Sequence, residues 1–269
     1  MVDIAARAAR VPGVVGVMLG GSRARGAHRP DSDWDLGVYY RGELALPALE
    51  TLAAELTGGP VEVHRPGAWG AWVNGGAWLV LPDGTPVDWI LRDLDRVHRV
   101  WQDCRAGRFE TGMQPGHPLG FWSPAYPGEV ALGRVLADTG GELARLKEEA
   151  RHYPGALRTS LTDGALWDAG FSTAMAAKSQ AAGDVLHAAL CLSRAVGGLV
   201  QALHAQHGVW CLNEKGALAA AAALDATPAG FAARATALLG RLGCTAEELG
   251  TSLTEAERLV ADVRAVVGA

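Results

Sequence analysis

Cysteine is scarce in this chain of 269 residues, and its four cysteines are scattered along the sequence. Cys104, Cys191, Cys211 and Cys244 show neither a paired CxxC spacing nor a cysteine–histidine ligand pattern. This excludes a disulfide scaffold or a zinc cluster as the source of stability, and we expect reduced, mostly buried thiols. The fold must therefore depend on a hydrophobic core, which a hydrophobic content of 49% can supply.

The sequence also lacks an apolar run long enough to span a membrane, and its N-terminus does not have the pattern of a signal peptide. We therefore expect a cytoplasmic protein that makes no membrane contact. Acidic residues outnumber basic ones, 29 to 24, which gives a formal net charge of −5. Long nucleic acids bind strongly basic surfaces, so this charge argues against such a substrate and favours a small acceptor, including a cationic one.

Glycine and charged residues are concentrated in the stretch VMLGGSRARGAHRPDSDWDLGVYY, which begins at Val17. The pair Gly20 and Gly21 follows an apolar run and would let the backbone approach a phosphate closely. We expect Ser22 to cap a short helix whose N-terminus attracts anions. Arg23 is the best candidate for a phosphate contact, because a guanidinium group donates two parallel hydrogen bonds.

Two aspartates in the same stretch have the spacing of a metal-binding pair. Asp33 and Asp35 alternate with Trp34 and Leu36 at the start of a second apolar run. Since side chains two residues apart in a strand point to the same face, both carboxylates lie on one side. Neighbouring carboxylates repel each other unless a cation lies between them, and Mg²⁺ prefers oxygen ligands and substrate phosphates. The stretch therefore predicts a site for a nucleoside triphosphate and Mg²⁺.

This combination of Gly-Gly-Ser and Asp-x-Asp resembles the nucleotidyltransferase superfamily of DNA polymerase β. Within it, residues 10–92 resemble the small-molecule branch that includes the aminoglycoside nucleotidyltransferases. The resemblance implies a third carboxylate on a later strand, and Asp88 in TPVDWILRD fits that position. It also implies that Asp33, Asp35 and Asp88 are catalytic metal ligands, with Asp88 either joining a second metal or acting as general base.

The hydrophobic pattern predicts an α+β fold. Strands are expected at residues 14–19, 34–40, 75–80 and 86–91, the last two joined by a Pro-Asp-Gly-Thr hairpin turn. Beyond Pro127 helical periodicity prevails, first over residues 129–137 and then to the end of the chain. We predict a mixed-sheet nucleotidyltransferase domain over residues 1–112 and an all-α helical bundle over residues 113–269, with a linker loop at 107–127.

Several further residues have two readings. Four tryptophans are interpreted mainly as core residues and alternatively as a base-stacking platform, namely Trp69, Trp72, Trp78 and Trp89. Three residues of the linker loop either line an acceptor pocket or belong to a plain domain connection, namely His117, Trp122 and Tyr126. In the helical half, Asp184 is expected to cap a helix, and Thr245 with Glu248 forms a capping box.

Two lysines of the helical half are candidates for nucleotide binding. Lys178 is the cation of an otherwise small and apolar stretch, and Lys215 lies in CLNEKGAL. A lysine can stabilise the charge that develops on departing pyrophosphate. The resemblance implies such a lysine from the helical domain, whereas an exposed helix residue is the plainer interpretation of each.

The sequence therefore predicts a Mg²⁺-dependent nucleotidyltransferase that moves a nucleoside monophosphate to a hydroxyl of a small molecule and releases pyrophosphate. ATP is the favoured donor, and by analogy an aminoglycoside-type antibiotic is one candidate acceptor, which would make the function antibiotic resistance. The alternatives are a protein AMP-transferase of the antitoxin type and a non-catalytic nucleotide-binding sensor. A homodimer is left open.

Overall fold

The computed structural model describes residues 1–268. Contacts divide them into two compact units. The first comprises Met1–Asp103 and Glu110–His152, and the second comprises Cys104–Phe109 and the chain from Tyr153 onward. The first unit is built on a mixed sheet and the second is helical, so the predicted α+β class is confirmed.

Strands and helices alternate along the first part of the chain. Their order is α1 (Val2–Ala8), β1 (Val14–Leu19), α2 (Gly21–Ala24), β2 (Trp34–Tyr40), α3 (Leu46–Thr57), β3 (Gly75–Val80), β4 (Pro86–Asp93), α4 (Leu94–Arg105), β5 (Thr111–Gln114), β6 (His117–Trp122), α5 (Ala125–Leu132), β7 (Arg134–Asp138) and α6 (Glu142–Ala150). Five strands form one sheet in the order β3-β4-β2-β1-β7, and β5 pairs with β6. Within the large sheet β2 and β4 run parallel, and the other neighbours are antiparallel.

One face of the sheet carries the core of the first unit. Along β4, Val87, Trp89 and Leu91 are buried, while Asp88 and Ile90 between them are only partly buried. This is the alternation of a strand with one face in a core. The buried residues pack in one cluster with α1 and α3. The side chains of Asp35 and Asp88 therefore lie on the opposite face of β2 and β4, away from this core.

A buried ion pair joins α5 to the sheet. The Arg92 side chain of β4 is only 4% exposed and donates two hydrogen bonds to the Glu129 carboxylate of α5, each 2.7 Å long. Its third nitrogen donates to the backbone carbonyl of Val73 at 2.6 Å. A buried charge costs free energy unless it is paired and hydrogen-bonded, and Arg92 meets both conditions.

The structure corrects two expectations for the middle of the chain. Residues 107–127 are not a plain loop, because they contain β5, β6 and the start of α5, and the predicted domain boundary at residue 112 falls within β5. Gly112 is needed where the Trp72 indole crosses β5, since a Cβ atom there would lie 2.2 Å from its nitrogen. The predicted helix over residues 129–137 ends at Leu132, because residues 134–138 pair with β1 as an edge strand.

Three helices of more than 20 residues dominate the second unit. It contains α7 (Gly155–Ala177), α8 (Val185–Gln206), α9 (Ala217–Ala222), α10 (Phe231–Gly240) and α11 (Ala246–Val267). Asp184 caps α8 by accepting a hydrogen bond from the His187 amide, and Thr245 with Glu248 forms a complete capping box on α11. Both predicted caps are confirmed. Each satisfies amide groups that the first helical turn leaves without an intrahelical partner.

Helix α8 is long and apolar enough to cross a membrane by length and composition, which corrects the expectation that no stretch reaches this limit. In the most apolar 18-residue segment of this helix, 44% is buried within the protein. The buried side chains of α8 contribute to a cluster with α7 and α11. A core helix passes the same test of length and composition, so the helix gives only weak support for a membrane span.

All four cysteines are free thiols, as predicted. Cys104 is buried, Cys191 and Cys211 are partly buried, and Cys244 is exposed. The expectation of mostly buried thiols is therefore right only for Cys104. Burial raises the pKa of the Cys191 thiol, which keeps it protonated at neutral pH.

Candidate active site

The sheet register brings the predicted carboxylates together. Asp35 of β2 and Asp88 of β4 are direct partners in the parallel pair, so their side chains lie next to each other on the face away from the core. Asp33 lies two residues before Asp35, immediately ahead of β2. Burial, followed by the negative charges of Asp33 and Asp35, raises the pKa of Asp88 to about 6. Three carboxylates therefore share one electrostatic environment.

The glycine turn after β1 closes one side of this cluster. The Gly20 amide donates to the backbone carbonyl of Asp35 at 2.8 Å, and Gly21 has a φ of +61°. A Cβ atom at position 21 would lie 1.7 Å from Asp35 Oδ2, so only glycine leaves room for this carboxylate. The N-cap of α2 is Gly20, which corrects the expectation that Ser22 caps this helix. The helix begins two residues earlier than expected, and Ser22 lies inside it.

Arg23 holds the segment in front of β2. Its Nε and Nη2 atoms donate to the carbonyl of Ser32 at 3.0 and 2.7 Å, and its Nε atom also donates to the carbonyl of Asp33 at 3.2 Å. Its guanidinium carbon lies 4.4 Å from the centroid of the Trp34 ring. In this structure Arg23 therefore positions the residues around Asp33. Its predicted contact with a phosphate stays a prediction.

The donor atoms of the cluster suit a hard divalent cation. Among residues 1–268, no three histidine, cysteine, aspartate or glutamate side chains are already arranged as a metal-binding group. The Asp33, Asp35 and Asp88 carboxylates nevertheless interact closely enough to raise the pKa of Asp88. Because such mutual repulsion is relieved by a cation with carboxylate ligands, the three residues fit Mg²⁺ in chemical type and charge.

An aromatic cluster lies on the other side of Asp88. In the β3–β4 hairpin Trp78 is the cross-strand partner of Asp88, and the Trp78 side chain is 61% exposed. Trp69 stacks on it, with ring centroids 4.3 Å apart and an interplanar angle of 23°. The core interpretation is therefore right for Trp89 and wrong for Trp78. The hairpin turn fixes the pairing of Val80 with Pro86, and hence of Trp78 with Asp88, so the sequence contained a signal for this neighbour.

The three linker residues considered for an acceptor pocket make contacts within the first unit, and their role toward an acceptor stays a prediction. Tyr126 is buried and its hydroxyl donates to the backbone carbonyl of Trp72. His117 lies edge-on to Phe121, with centroids 5.2 Å apart. Trp122 is partly buried and pairs with Thr111 in the β5–β6 hairpin. These contacts connect the hairpin and α5 to residues 69–73.

The two candidate lysines belong to the helical unit. Lys178 is exposed at the C-cap of α7, and its amide donates to the Met175 carbonyl at 3.1 Å. Lys215 is exposed in the turn before α9, where its amide donates to the Asn213 side chain at 3.1 Å. Contact of either ammonium group with a triphosphate stays a prediction.

Comparison with protein families supports the class that the carboxylates and the glycine turn define. Residues 4–64, which include Gly20, Gly21, Asp33 and Asp35, match the family described as "Nucleotidyltransferase domain". The chain therefore carries a nucleotidyltransferase domain, and the predicted class of enzyme is confirmed. Residues 128–215 match a second family, described as "Domain of unknown function (DUF4037)".

A comparison with curated proteins gave no match. Among solved structures, the chain is similar to the crystal structure of a nucleotidyltransferase-like protein from Exiguobacterium sibiricum 255-15. The two are 15% identical, the TM-score is 0.47, and the similarity covers 97% of this chain and 72% of the other.

Proposed function

We propose that this enzyme transfers a nucleoside monophosphate, with ATP as the favoured donor, to a hydroxyl group of a small molecule and requires Mg²⁺. The observation that carries the proposal is the direct pairing of Asp35 with Asp88 beside the Gly20–Gly21 turn. Carboxylates for a cation and backbone amides for phosphates are the two components that nucleotidyl transfer needs.

In this proposal the three carboxylates would hold the metal ion. Asp33 and Asp35 would supply the principal oxygen ligands for Mg²⁺, and Asp88 lies close enough to contribute a further one. When bound, the ion neutralises charge on the triphosphate oxygens and makes the α-phosphorus more electrophilic. Arg23 would keep Asp33 in place through the carbonyls that it already binds.

Asp88 is the residue best suited to take the proton of the acceptor. A general base must lie within reach of the proton that it takes, and the sheet register places Asp88 beside Asp35, on the side away from the glycine turn. The acceptor oxygen attacks the α-phosphorus and forms a new P–O bond while its proton passes to Asp88. The bond from the α-phosphorus to the bridging oxygen breaks, and pyrophosphate leaves with the electron pair.

The glycine turn would bind the departing phosphates. The Gly20 amide already donates to the backbone carbonyl of Asp35. The amides of Gly21 and Ser22 are therefore the ones proposed to donate to the β- and γ-phosphates. Lys178 and Lys215 are proposed as further cations for the triphosphate, since a developing negative charge is stabilised by a positioned ammonium group. Their role depends on substrate binding and is tested separately by Lys178→Ala and Lys215→Ala.

Two other functions use the same site. A protein AMP-transferase would accept a protein hydroxyl instead of a small molecule. A nucleotide sensor would bind the triphosphate without transfer, but the presence of Asp33, Asp35 and Asp88 favours catalysis over this alternative. The net charge of −5 favours a small acceptor over a long nucleic acid.

The deciding experiment measures pyrophosphate release with each of the four common ribonucleoside triphosphates and Mg²⁺, across aminoglycosides, lincosamides and other hydroxylated molecules. Release that depends on one acceptor class establishes the transfer and identifies that class. Nucleotide binding without release by any acceptor would favour a protein acceptor or a sensor. Failure of the triphosphate to bind would reject the proposed site.

A further inference from the structure

Trp78 lies next to the proposed base, Asp88, in the β3–β4 pair. Directly opposed residues of an antiparallel pair have side chains on the same face, so the Trp78 indole lies beside the Asp88 carboxylate. Asp35 is the neighbour of Asp88 on the other side. Across one sheet face the order is therefore Trp78, Asp88, Asp35 and the glycine turn.

The Trp78 indole is exposed, although the residues before and after it in β3 are buried. Its side chain is 61% exposed, whereas Ala77 and Leu79 on either side are buried. One face of the indole packs against a second tryptophan. Trp69 stacks on Trp78, and the Trp69 ring lies over Gly76, where a Cβ atom would be 2.9 Å from it. An exposed indole stacked on a second tryptophan, next to the proposed catalytic carboxylates, offers a flat ring face to a ligand.

The loop that carries Trp69 is fixed by side chains from several elements. The Gln114 side chain donates to the Trp69 carbonyl and accepts from the amides of Trp72 and Val73 at 3.2 Å each. Asn74 accepts from the Gly67 amide at 2.9 Å. Residues 67–74 are therefore held before any ligand arrives, which lowers the entropic cost of binding on the tryptophan pair.

The geometry of transfer indicates which substrate meets this surface. In an in-line displacement the attacking oxygen and the leaving pyrophosphate lie on opposite sides of the α-phosphorus. With pyrophosphate at the Gly21 and Ser22 amides, the acceptor must approach from the side of Asp88. Trp78 lies on that side, across Asp88 from the phosphates.

We infer that Trp78, backed by Trp69, is the acceptor-binding surface of this enzyme and takes a ring that carries both hydroxyl and ammonium groups. The inference rests on the proposed function. The negative face of an indole attracts an ammonium group, and the adjacent carboxylates of Asp88, Asp35 and Asp33 repel anions. A hydroxyl of the same ring can then reach Asp88, while a neutral or acidic ring gains less from either contact.

The test measures binding and turnover in Trp78→Ala, Trp78→Phe and the wild type. The probes are kanamycin, neamine and spectinomycin as ammonium-bearing rings, with myo-inositol as a neutral ring. Calorimetry gives the dissociation constants in the presence of Mg²⁺ and a non-hydrolysable ATP analogue, and pyrophosphate release gives KM for each substrate. The matched control is Trp167→Ala, which removes another exposed tryptophan, 66% exposed, from α7.

We expect Trp78→Ala to raise the dissociation constant and KM of an ammonium-bearing probe about tenfold, and Trp78→Phe about threefold, because the smaller ring keeps part of the cation–π attraction. KM for the nucleotide should stay within about twofold, and Trp167→Ala should leave all values unchanged. If the alanine variant fails to fold, the phenylalanine variant still gives the comparison.

Three results would overturn the inference. Unchanged acceptor affinity in both Trp78 variants would make the tryptophan pair structural. A rise in nucleotide KM alone would show that Trp78 stacks on the base. Binding of the ATP analogue by the wild type without binding of any ammonium-bearing probe would reject the acceptor class and leave the proposed nucleotide site standing. Failure of the wild type to bind the ATP analogue would reject the proposed function itself.

Discussion

The Asp35 carboxylate packs directly against the Cα atom of Gly21, so that a Cβ atom at position 21 would lie 1.7 Å from Oδ2. We expect Gly21→Ala to displace the carboxylate and to lower kcat about 100-fold, because small misplacements of catalytic groups have effects of that size. The control is Gly42→Ala. Gly42 has nearly the same φ, +64°, and among the described residues no atom lies within 4 Å of its added Cβ.

Both glycine variants adopt an unfavourable positive φ, which should cost each of them about 1 kcal/mol, and Gly21→Ala carries the further cost of displacing the Asp35 carboxylate. Steady-state kinetics of pyrophosphate release and thermal unfolding separate the two effects. Equal activity loss in both variants would show that backbone strain, and not contact with Asp35, explains the result.

The second prediction concerns charge at the carboxylate pair. Asp35→Asn keeps the shape of the side chain and removes its negative charge, so we expect kcat to fall at least about 1,000-fold through the loss of metal-dependent catalysis. Asp31→Asn is the control, because Asp31 is exposed and pairs with exposed Arg29 at 3.4 Å. Circular dichroism should show both variants folded, and full activity of Asp35→Asn would reject the site.

The third prediction concerns the buried ion pair. Glu129→Ala leaves the Arg92 charge buried without its carboxylate, and we expect a loss of about 3 kcal/mol in the free energy of unfolding. Glu148→Ala is the matched control, because its pair with Arg151 is exposed on both sides. That variant should change stability by less than about 0.5 kcal/mol. Urea unfolding followed by tryptophan fluorescence provides both values.

The fourth prediction concerns pH and the helical unit. His204 is buried in α8, and this burial lowers the pKa of its imidazole. The hydrogen bond between the imidazole and the Val200 carbonyl, 2.8 Å long, opposes the shift, and the charge of His207 adds to it. A histidine whose pKa is lower in the folded state binds protons more readily when unfolded. Stability is therefore lost as the pH falls below the unfolded pKa of about 6.5.

We expect a lower Tm at pH 5 than at pH 7, with a smaller difference in His204→Gln. The exposed His152→Gln variant controls for general effects of losing a histidine. The same pH dependence in all three proteins would exclude His204 as its source. Differential scanning calorimetry at low ionic strength provides the measurement.

Local patterns were enough to predict much of the fold and part of the site. The apolar runs of β1 and β2, the hairpin turn before β4 and the two helix caps depend on residues close in sequence. The alternation around Asp35 and Asp88 placed both side chains on a non-core face, and the observed register makes them neighbours. These features follow from backbone geometry that each segment favours by itself.

The errors arose where distant segments decide the outcome. Residues 134–138 have no strong strand signal and become β7 only because the edge of β1 is available to them. The glycines of β5 and β6 suggested a loop, but Gly112 provides room for the Trp72 ring. The contacts of Arg23 with the carbonyls of Ser32 and Asp33 likewise depend on how the segment before β2 folds back, and its predicted phosphate contact stays a prediction. Strand formation depends strongly on its partners, which a local pattern does not contain.

The parallel pairing of β2 with β4 also determines when catalytic competence arises during folding. Parallel neighbours need a long connection, and here α3 and β3 intervene between Asp35 and Asp88. Such non-local pairing forms late, because the chain must first lose the entropy of closing that connection. Recovery of activity after dilution from denaturant should therefore lag behind recovery of helical circular dichroism, so that enzymatic turnover reports the completed sheet.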